Sequence, residues 1–351
     1  MNGIVLAIKG TLSSHWKQKT GRGKELGLID LSICIVSWNT EGLLKECLHS
    51  IFERTERISY EVFVVDNASK DGTVKMVREH FPDVSLIVNH ENRGFAAANN
   101  QAIRRAKGRY VIFLNPDTVV RGNALNIMVQ FMDGHSEAGA IGCKLLNTDG
   151  SVQYSAKRLL TSSIILYDNT ILGRLPFLRG KLKHYKMKSF SFDRVEEVDA
   201  VSGAALMVRK GVLNEVGSMD EGYFMFFDEM DLCRRIKMKG EKIYFIPNAE
   251  ITHLGGASRH QNPKELVIIG QESMMRYLSK FESERKIFLF KFLYKPLFIV
   301  GLIYDLIFDF LSFIKYNTIK KNPLKLEKRA MKIRRGLDFL KKDLGYFIFR
   351  L

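Results

Sequence analysis

Cysteine is scarce in this 351-residue chain: Cys34, Cys47, Cys143 and Cys233 are scattered, with no CxxC pair and no short His/Cys cluster. A disulfide framework and a structural zinc site are therefore not expected, and a reducing compartment fits. The opening MNGIVLAIKG has only a short apolar run before Lys9 and no small-residue cleavage site, so export is not expected. No GxGxxG follows the first apolar run and GxxxxGKS/T occurs nowhere, which removes the main support for dehydrogenase and P-loop readings. There is no internal repeat and no low-complexity tract.

What is present suffices for a full core, since 46% of the residues are hydrophobic. The net charge of +16 is concentrated late: from Lys315 onward twelve basic residues face three acidic ones, whereas 31–260 is closer to balance. The basic residues lie on a Leu- and Phe-rich helical tail without a reading motif, so nucleic acid is not an expected partner.

From Leu31 short β-rich runs alternate with helical patterns. LSICIVS, EVFVVD, VSLIV and YVIFLN read as strands, with helices over 41–52, 73–80 and 95–107 between them. That alternation implies a parallel sheet covered on both faces, with ligands beyond the carboxyl ends of its strands. Later, VDAVSGAALMVRK, KIYFI and AEITH read as strands and FDEMDLCRRIKMKG as a helix with an acidic start. Residues 1–30 read as an irregular extension.

Polar residues collect where the sheet would bind. Asp66 ends the second strand, where a carboxylate can accept from a base or ribose, although a capping Asp is as common there. Asp117 follows an apolar strand behind Pro116, and a carboxylate so placed can hold Mg²⁺ or Mn²⁺ whose shell is completed by phosphate oxygens and water. Asp228, Glu229 and Asp231 crowd one helix start; clustered acids raise one another's pKa, as a base working near neutral pH requires, yet an acidic helix start also stabilises its helix. His253 ends a strand ahead of two glycines and is a possible second metal ligand, or a hydrogen-bonded structural residue.

In order and spacing VSWNT, VVDNASKDGT, NRGFAAANNQAI, FLNPDT, VSGAALMVRK, FMFFDEMDLCRR and THLGG resemble glycosyltransferase family 2, particularly its rhamnosyltransferase-like branch. The resemblance covers residues 31–260 and implies an inverting enzyme of GT-A fold: α/β, a Rossmann-like, mostly parallel sheet flanked by helices, here with a C-terminal amphipathic helical extension. It implies that 31–120 holds the nucleotide sugar and 121–265 the acceptor. Ser37, Asn39 and Asp66 would line the nucleotide pocket, with Arg93 and Gly94 beside the donor. Asp117 would bind the metal as the last acid of a DxD-like motif, with Asn115 in place of its first Asp and His253 as second ligand. Glu229 would be the base, in a position where many relatives have Asp, so Asp228 stays its rival. The implied reaction moves a sugar, best matched by L-rhamnose from dTDP-L-rhamnose, to a hydroxyl of a lipid-linked or growing cell-surface glycan. The rivals are a sugar-phosphate nucleotidyltransferase and a non-catalytic nucleotide-sugar binding module of a membrane complex.

The tail, 266–351, reads as basic amphipathic helices. In IFLFKFLYKPLFIVGLIYDLIFDFLSFI no uncharged stretch approaches the roughly 20 residues of a spanning helix. Gly301, Asp305, Asp309 and Ser312 would form one polar stripe, a pattern that favours lying in the membrane interface. Basic residues beside Ile333, Leu337, Leu340, Leu344 and Phe347 would be drawn to an anionic bilayer. This implies a cytoplasmic protein, peripheral on the inner face of the cell membrane; packing on the globular domain or a homo-oligomer interface are the rival uses of these helices.

Overall fold

The computed structural model describes residues 28–175, 187, 190–255, 266–318 and 323–351. The extension expected over 1–30 thus lies outside the described residues except at its end, as does Gly256, the second of the two glycines that follow His253.

The strands are β1 (Leu31–Ser37), β2 (Tyr60–Asp66), β3 (Ser85–Val88), β4 (Tyr110–Leu114), β5 (Thr118–Val120), β6 (Ala138–Leu146), β7 (Ala156–Lys157), β8 (Glu196–Glu197), β9 (Ala200–Val201), β10 (Ala205–Arg209) and β11 (Lys242–His253). The main sheet runs β3-β2-β1-β4-β10-β6-β11-β5, with β8 on β11, while β7 and β9 form a separate ribbon. β1, β2, β3, β4, β6 and β11 share one direction, and β10, β5 and β8 are reversed. Every residue of β1 and of β4 is buried, as central strands covered on both faces require.

The helices are α1 (Glu41–Arg54), α2 (Thr73–His80), α3 (Phe95–Ile103), α4 (Ala124–Gly134), α5 (Ser162–Asn169), α6 (Lys210–Val216), α7 (Asp228–Met238), α8 (Leu266–Phe281), α9 (Glu284–Thr318), α10 (Pro323–Asp338) and α11 (Leu344–Phe349). The two-residue period of the strands sends Ile33, Ile35, Val64 and Ile112 into one core with Leu48 of α1, Met76 of α2 and Met128 of α4. Cys34, Val36, Val65 and Phe113 point the other way, into a core shared with Ala98 of α3, Leu232 of α7, Tyr277 of α8 and Phe290 of α9. The helices after 266 are therefore built into the same core as the sheet. The four cysteines are buried free thiols.

KIYFI and AEITH, read as two strands, form one, β11, whose register shifts between Ile246 and Glu250. Pro247 has no N–H to give to the ladder there. Beyond the shift β11 pairs with β5, so that His253 lies opposite Thr118, and Leu254 donates to the Asp117 carbonyl at 3.0 Å.

The tail departs from expectation in its orientation. α9 is a single 35-residue helix whose most apolar 18-residue window has mean hydropathy 2.2 and is 11% buried, so by length and composition it is able to cross a membrane. Its polar stripe is turned onto the protein instead of toward water. Gly301 sits so close to the Ile171 backbone that a Cβ would lie 2.9 Å from its nitrogen. Asp305 accepts from the Arg174 guanidinium, with Nε 3.0 Å from Oδ1, and Asp309 pairs with Arg329 of α10. Arginine partners satisfy the carboxylates where water was expected to, and the apolar stripe faces outward, with Phe288 75%, Phe292 70% and Leu311 60% exposed. The chain then returns along α10, whose Gly336 nestles against Leu302 and Leu306, and Phe347 of α11 stacks near Phe298 at 5.0 Å between ring centroids.

Candidate functional site

Ser37 at the end of β1 lies opposite Asp66 at the end of β2. Ser37 is fully buried and its hydroxyl shares a 2.8 Å bond with Thr40, so it shapes the turn and presents no side-chain surface to a ligand. Asn39, at φ 50°, ties that turn to the next one: its Oδ1 accepts from Lys70 N at 2.6 Å and its N–H donates to Ser69 Oγ at 2.9 Å. Asp66 is not the helix cap that was the alternative, since α2 begins behind Gly72 with no side-chain cap; it braces the turn before the helix. Oδ2 accepts from Ser69 N at 3.1 Å, whereas Oδ1 is buried with no hydrogen-bond partner. A buried acceptor left so costs about 1–3 kcal/mol, and a donor on a base or ribose would recover it.

Asn67, not singled out in the sequence, organises the turns beyond β2 and β3. Its Oδ1 accepts from Arg93 N at 3.1 Å and Asn89 Nδ2 at 3.0 Å, and its Nδ2 donates to Asn92 Oδ1 at 2.7 Å. Gly94 is at φ 79°, and a Cβ there would stand 2.5 Å from the Phe224 carbonyl, so glycine is required twice over. That carbonyl accepts from Phe95 N at 2.8 Å, which locks the Arg93–Gly94 turn against the loop that precedes α7. The Arg93 side chain is exposed and Glu221 feels its charge.

Asp117 and His253 meet, with Nε2 3.4 Å from Oδ1, and both are buried. Asn115 Nδ2 lies 3.3 Å from the same Nε2. A relay fixes the ring: Ser151 donates to Asp149, Asn147 Nδ2 donates to Ser151 Oγ at 2.8 Å, and Gln153 Nε2 donates to Asn147 Oδ1 at 2.8 Å and to the His253 carbonyl at 2.6 Å. Gln153 Oε1 is left to accept from His253 Nδ1 at 2.9 Å. The relay assigns the proton to Nδ1 and turns the Nε2 lone pair toward Asp117. Two acceptors facing each other across this distance suit adjacent ligands of one divalent cation, each about 2.1 Å from it. Among the described residues no group of three or more His, Cys, Asp and Glu side chains could hold a metal. A two-ligand site open to phosphate oxygens and water is how Mg²⁺-type ions are held beside nucleotides.

The acid cluster is entered through strain. Phe226 and Phe227 have φ of 71° and 63°, a left-handed conformation that costs of order 1–3 kcal/mol per bulky residue and is found where a site demands it. The clustering expected to raise the pKa of the base acts on its neighbour. Burial, and then the charge of Glu229, push Asp228 well above the carboxylate range. Burial also works to raise Glu229, but the Lys157 ammonium, 3.0 Å from Oε1, together with hydrogen bonds from Asp228 and the backbone, outweighs it and Glu229 is held low. The two neighbours are therefore biased in opposite directions, burial favouring the neutral acid at Asp228 and Lys157 favouring the charged carboxylate at Glu229. Asp231 is fully buried on Arg235 at 2.6 Å and Lys280 at 2.7 Å, a structural role.

Two stretches link these groups to one another. Asn115 N donates to the Ala204 carbonyl at 3.0 Å, and the adjacent Gly203 would place a Cβ 3.3 Å from Glu229 Cβ. Gln153 on His253 and Lys157 on Glu229 are four residues apart, at most ~14 Å of extended chain. Neither was singled out in the sequence. Their sole signal is the alternation of Gln153, Ser155 and Lys157, which puts all three on one side of an extended chain.

The sequence pattern of Glycosyl transferase family 2 matches residues 32–211. The chain is 27% identical over 264 residues to the N-acetylglucosaminyl-diphospho-decaprenol L-rhamnosyltransferase of Mycobacterium tuberculosis, covering 71% of this chain and 84% of that protein. It is 26% identical over 229 residues to the rhamnosyltransferase WbbL of Escherichia coli, covering 63% and 82%. The mannosyltransferase PcManGT from Pyrobaculum calidifontis, solved with GDP-Man and Mn²⁺, superimposes with a TM-score of 0.51 at 17% identity, over 90% of this chain and 87% of that one, and so shares its fold. The family match takes in the donor side, Asp117, Gln153, Lys157 and Gly203, with Glu229 and His253 following it. Spanning just over half of the chain, it makes this protein a member of glycosyltransferase family 2, with the GT-A fold.

Proposed function

We propose that the enzyme is an inverting transferase that carries a sugar, L-rhamnose from dTDP-L-rhamnose by likeness to its relatives, to a hydroxyl of a lipid-linked or growing cell-surface glycan. The single observation that supports it is the convergence of the Asp117–His253 pair and the charged Glu229 on one cleft at the strand ends. In this reading residues 31–120 hold the donor, with Asp66 on the nucleoside and Arg93 and Gly94 beside the diphosphate, and residues 121–265 shape the acceptor side. Asp117 and His253 hold Mg²⁺ or Mn²⁺, which when bound supplies positive charge to the departing nucleotide diphosphate. Glu229 takes the proton of the acceptor hydroxyl as its oxygen attacks the anomeric carbon from the face opposite the diphosphate. The carbon–phosphate-oxygen bond breaks, the configuration inverts, and one base suffices. A nucleotidyltransferase has no use for that base, and a binding module has no use for keeping it charged.

The test is thermal protection by nucleotide sugars with and without Mg²⁺ or Mn²⁺. A donor at 100 times its Kd adds about 2.7 kcal/mol to stability. dTDP-L-rhamnose is expected to protect more than UDP- or GDP-sugars, and far more with metal than without. Protection by none of them would overturn the donor reading; release of pyrophosphate from a sugar phosphate and a nucleoside triphosphate would establish the nucleotidyltransferase instead.

In the same reading the tail rests on the inner face of the cell membrane. One flank of α9 is tied to the body through Gly301, Asp305 and Asp309. A helix held so along its length is suited to sink sideways into one leaflet. Leu289, Phe292, Val300, Ile303, Ile307 and Leu311 line the free side, and the exposed Lys325, Lys328, Lys332 and Arg334 of α10 run beside it, facing anionic headgroups. Phe292→Glu with Ile307→Glu is expected to cut co-sedimentation with anionic vesicles at least about tenfold, each charge opposing burial in hydrocarbon. Unchanged sedimentation, or a wild-type dimer that these changes dissociate, would overturn the membrane assignment.

A further inference from the structure

Lys157 belongs to the short ribbon β7–β9, paired through Lys157 and Ala200, and not to the main sheet or to the acid-bearing helix. Its ammonium is half-buried, 3.0 Å from a carboxylate oxygen 72 residues away. A strand does not bring a lysine into a cleft to meet one particular acid for general stability, because a half-buried ion pair gives back in desolvation much of what it gains in attraction. The acid it meets is the one at the site's focus, and the same stretch of chain carries Gln153 to His253.

We propose that Lys157 is a positioning residue of the transfer step, the cation that keeps Glu229 charged and aimed into the cleft. The inference rests on the reading of Glu229 as base. Among the described residues the titratable groups facing Glu229 are Lys157 from β7, with Asp228 and the buried Cys233 thiol from its own helix. From the turn before β10 comes only Gly203, which has no charge to offer and no side chain to obstruct the carboxylate. Asp228, whose burial favours its neutral form, can hold Glu229 by a hydrogen bond but carries no positive charge to set against it. Without Lys157 the burial of Glu229 is opposed only by hydrogen bonds from Asp228 and the backbone, with no cation, and its proton is retained to higher pH. The sign follows: a base held low stays charged into acid, and one released from its cation loses activity first on the acid side.

The experiment is the pH dependence of kcat/KM for the whole enzyme carrying Lys157→Met, Lys157→Gln or Lys157→Arg. The acid limb of the Met and Gln variants is expected to move up by about one pH unit or more, so that their rate at the wild-type limb falls ~10-fold, with recovery toward alkaline pH. Lys157→Arg should keep the limb near its wild-type place. Metal-dependent thermal protection by dTDP-L-rhamnose should persist in all three, which separates a lost cation from a lost fold. An unmoved limb in the Met and Gln variants that still show protection would overturn the inference. Full activity of Glu229→Gln would instead overturn the base assignment on which it rests.

Discussion

Glu229→Gln is expected to lower turnover about 10²–10⁴-fold, the contribution of a positioned general base, while Asp228→Asn lowers it less than about tenfold. The two acids are neighbours on α7 and differ in state. Glu229 is charged because the Lys157 ammonium stands 3.0 Å away, and its side chain is 18% exposed, within reach of a substrate. Asp228 is buried, which favours its neutral form, and its role is to hydrogen-bond to Glu229. Asparagine keeps an N–H donor of the same size in that place, so the charged partner stays held. Glutamine at 229 removes the only acceptor able to take a full proton and leaves Lys157 without its counter-charge. Steady-state rates at saturating donor decide between them, with metal-dependent donor affinity as the control for fold. A dead Asp228→Asn beside an active Glu229→Gln would exchange the roles.

Much of this was legible where the pattern is local. The helix expected over 73–80 spans Thr73–His80, and the apolar runs from Leu31 to Leu114 form the parallel strands β1 to β4. Misreadings arise where distant partners intervene. The helix expected to reach residue 107 stops at Ile103, and the chain turns so that Lys107 N donates to Glu61 Oε1 at 2.6 Å and Gly108 N to Ser32 Oγ at 2.8 Å. VDAVSGAALMVRK, read as one strand, breaks at Ser202–Ala204, where the turn that meets both Asn115 and Glu229 replaces the ladder. Gln153 and Lys157 find their partners 100 and 72 residues away, and no short motif encodes that distance. The two stripes of α9 were readable from spacing. Which one faces out depended on Arg174 and Arg329, residues that carry no signal until the fold sets them beside Asp305 and Asp309.

Asp117→Ala is expected to remove the metal-dependent part of donor affinity, at least ~100-fold, since losing even an outer-shell partner of a metal ligand costs about 10–100-fold. The carboxylate faces a histidine lone pair that the Gln153 relay holds in place, and with alanine there His253 is left as a single neutral ligand beside the Asn115 amide. A hard divalent cation does not stay on one imidazole without a protein oxygen. The backbone should be indifferent to the change, because the Asp117 carbonyl, not its side chain, receives Leu254 N and joins β5 to β11. Titration calorimetry with dTDP-L-rhamnose should thus give the same weak affinity for wild type and variant without metal, when contacts such as Asp66 to the nucleoside carry the binding. With Mg²⁺ or Mn²⁺ only the wild type should tighten. Gln153→Leu should fall between the two, about tenfold weaker with metal, because the ring remains but its Nδ1 proton has lost its acceptor. Equal tightening of wild type and Asp117→Ala would place the cation elsewhere and dissolve the pairing of Asp117 with His253 as a metal site.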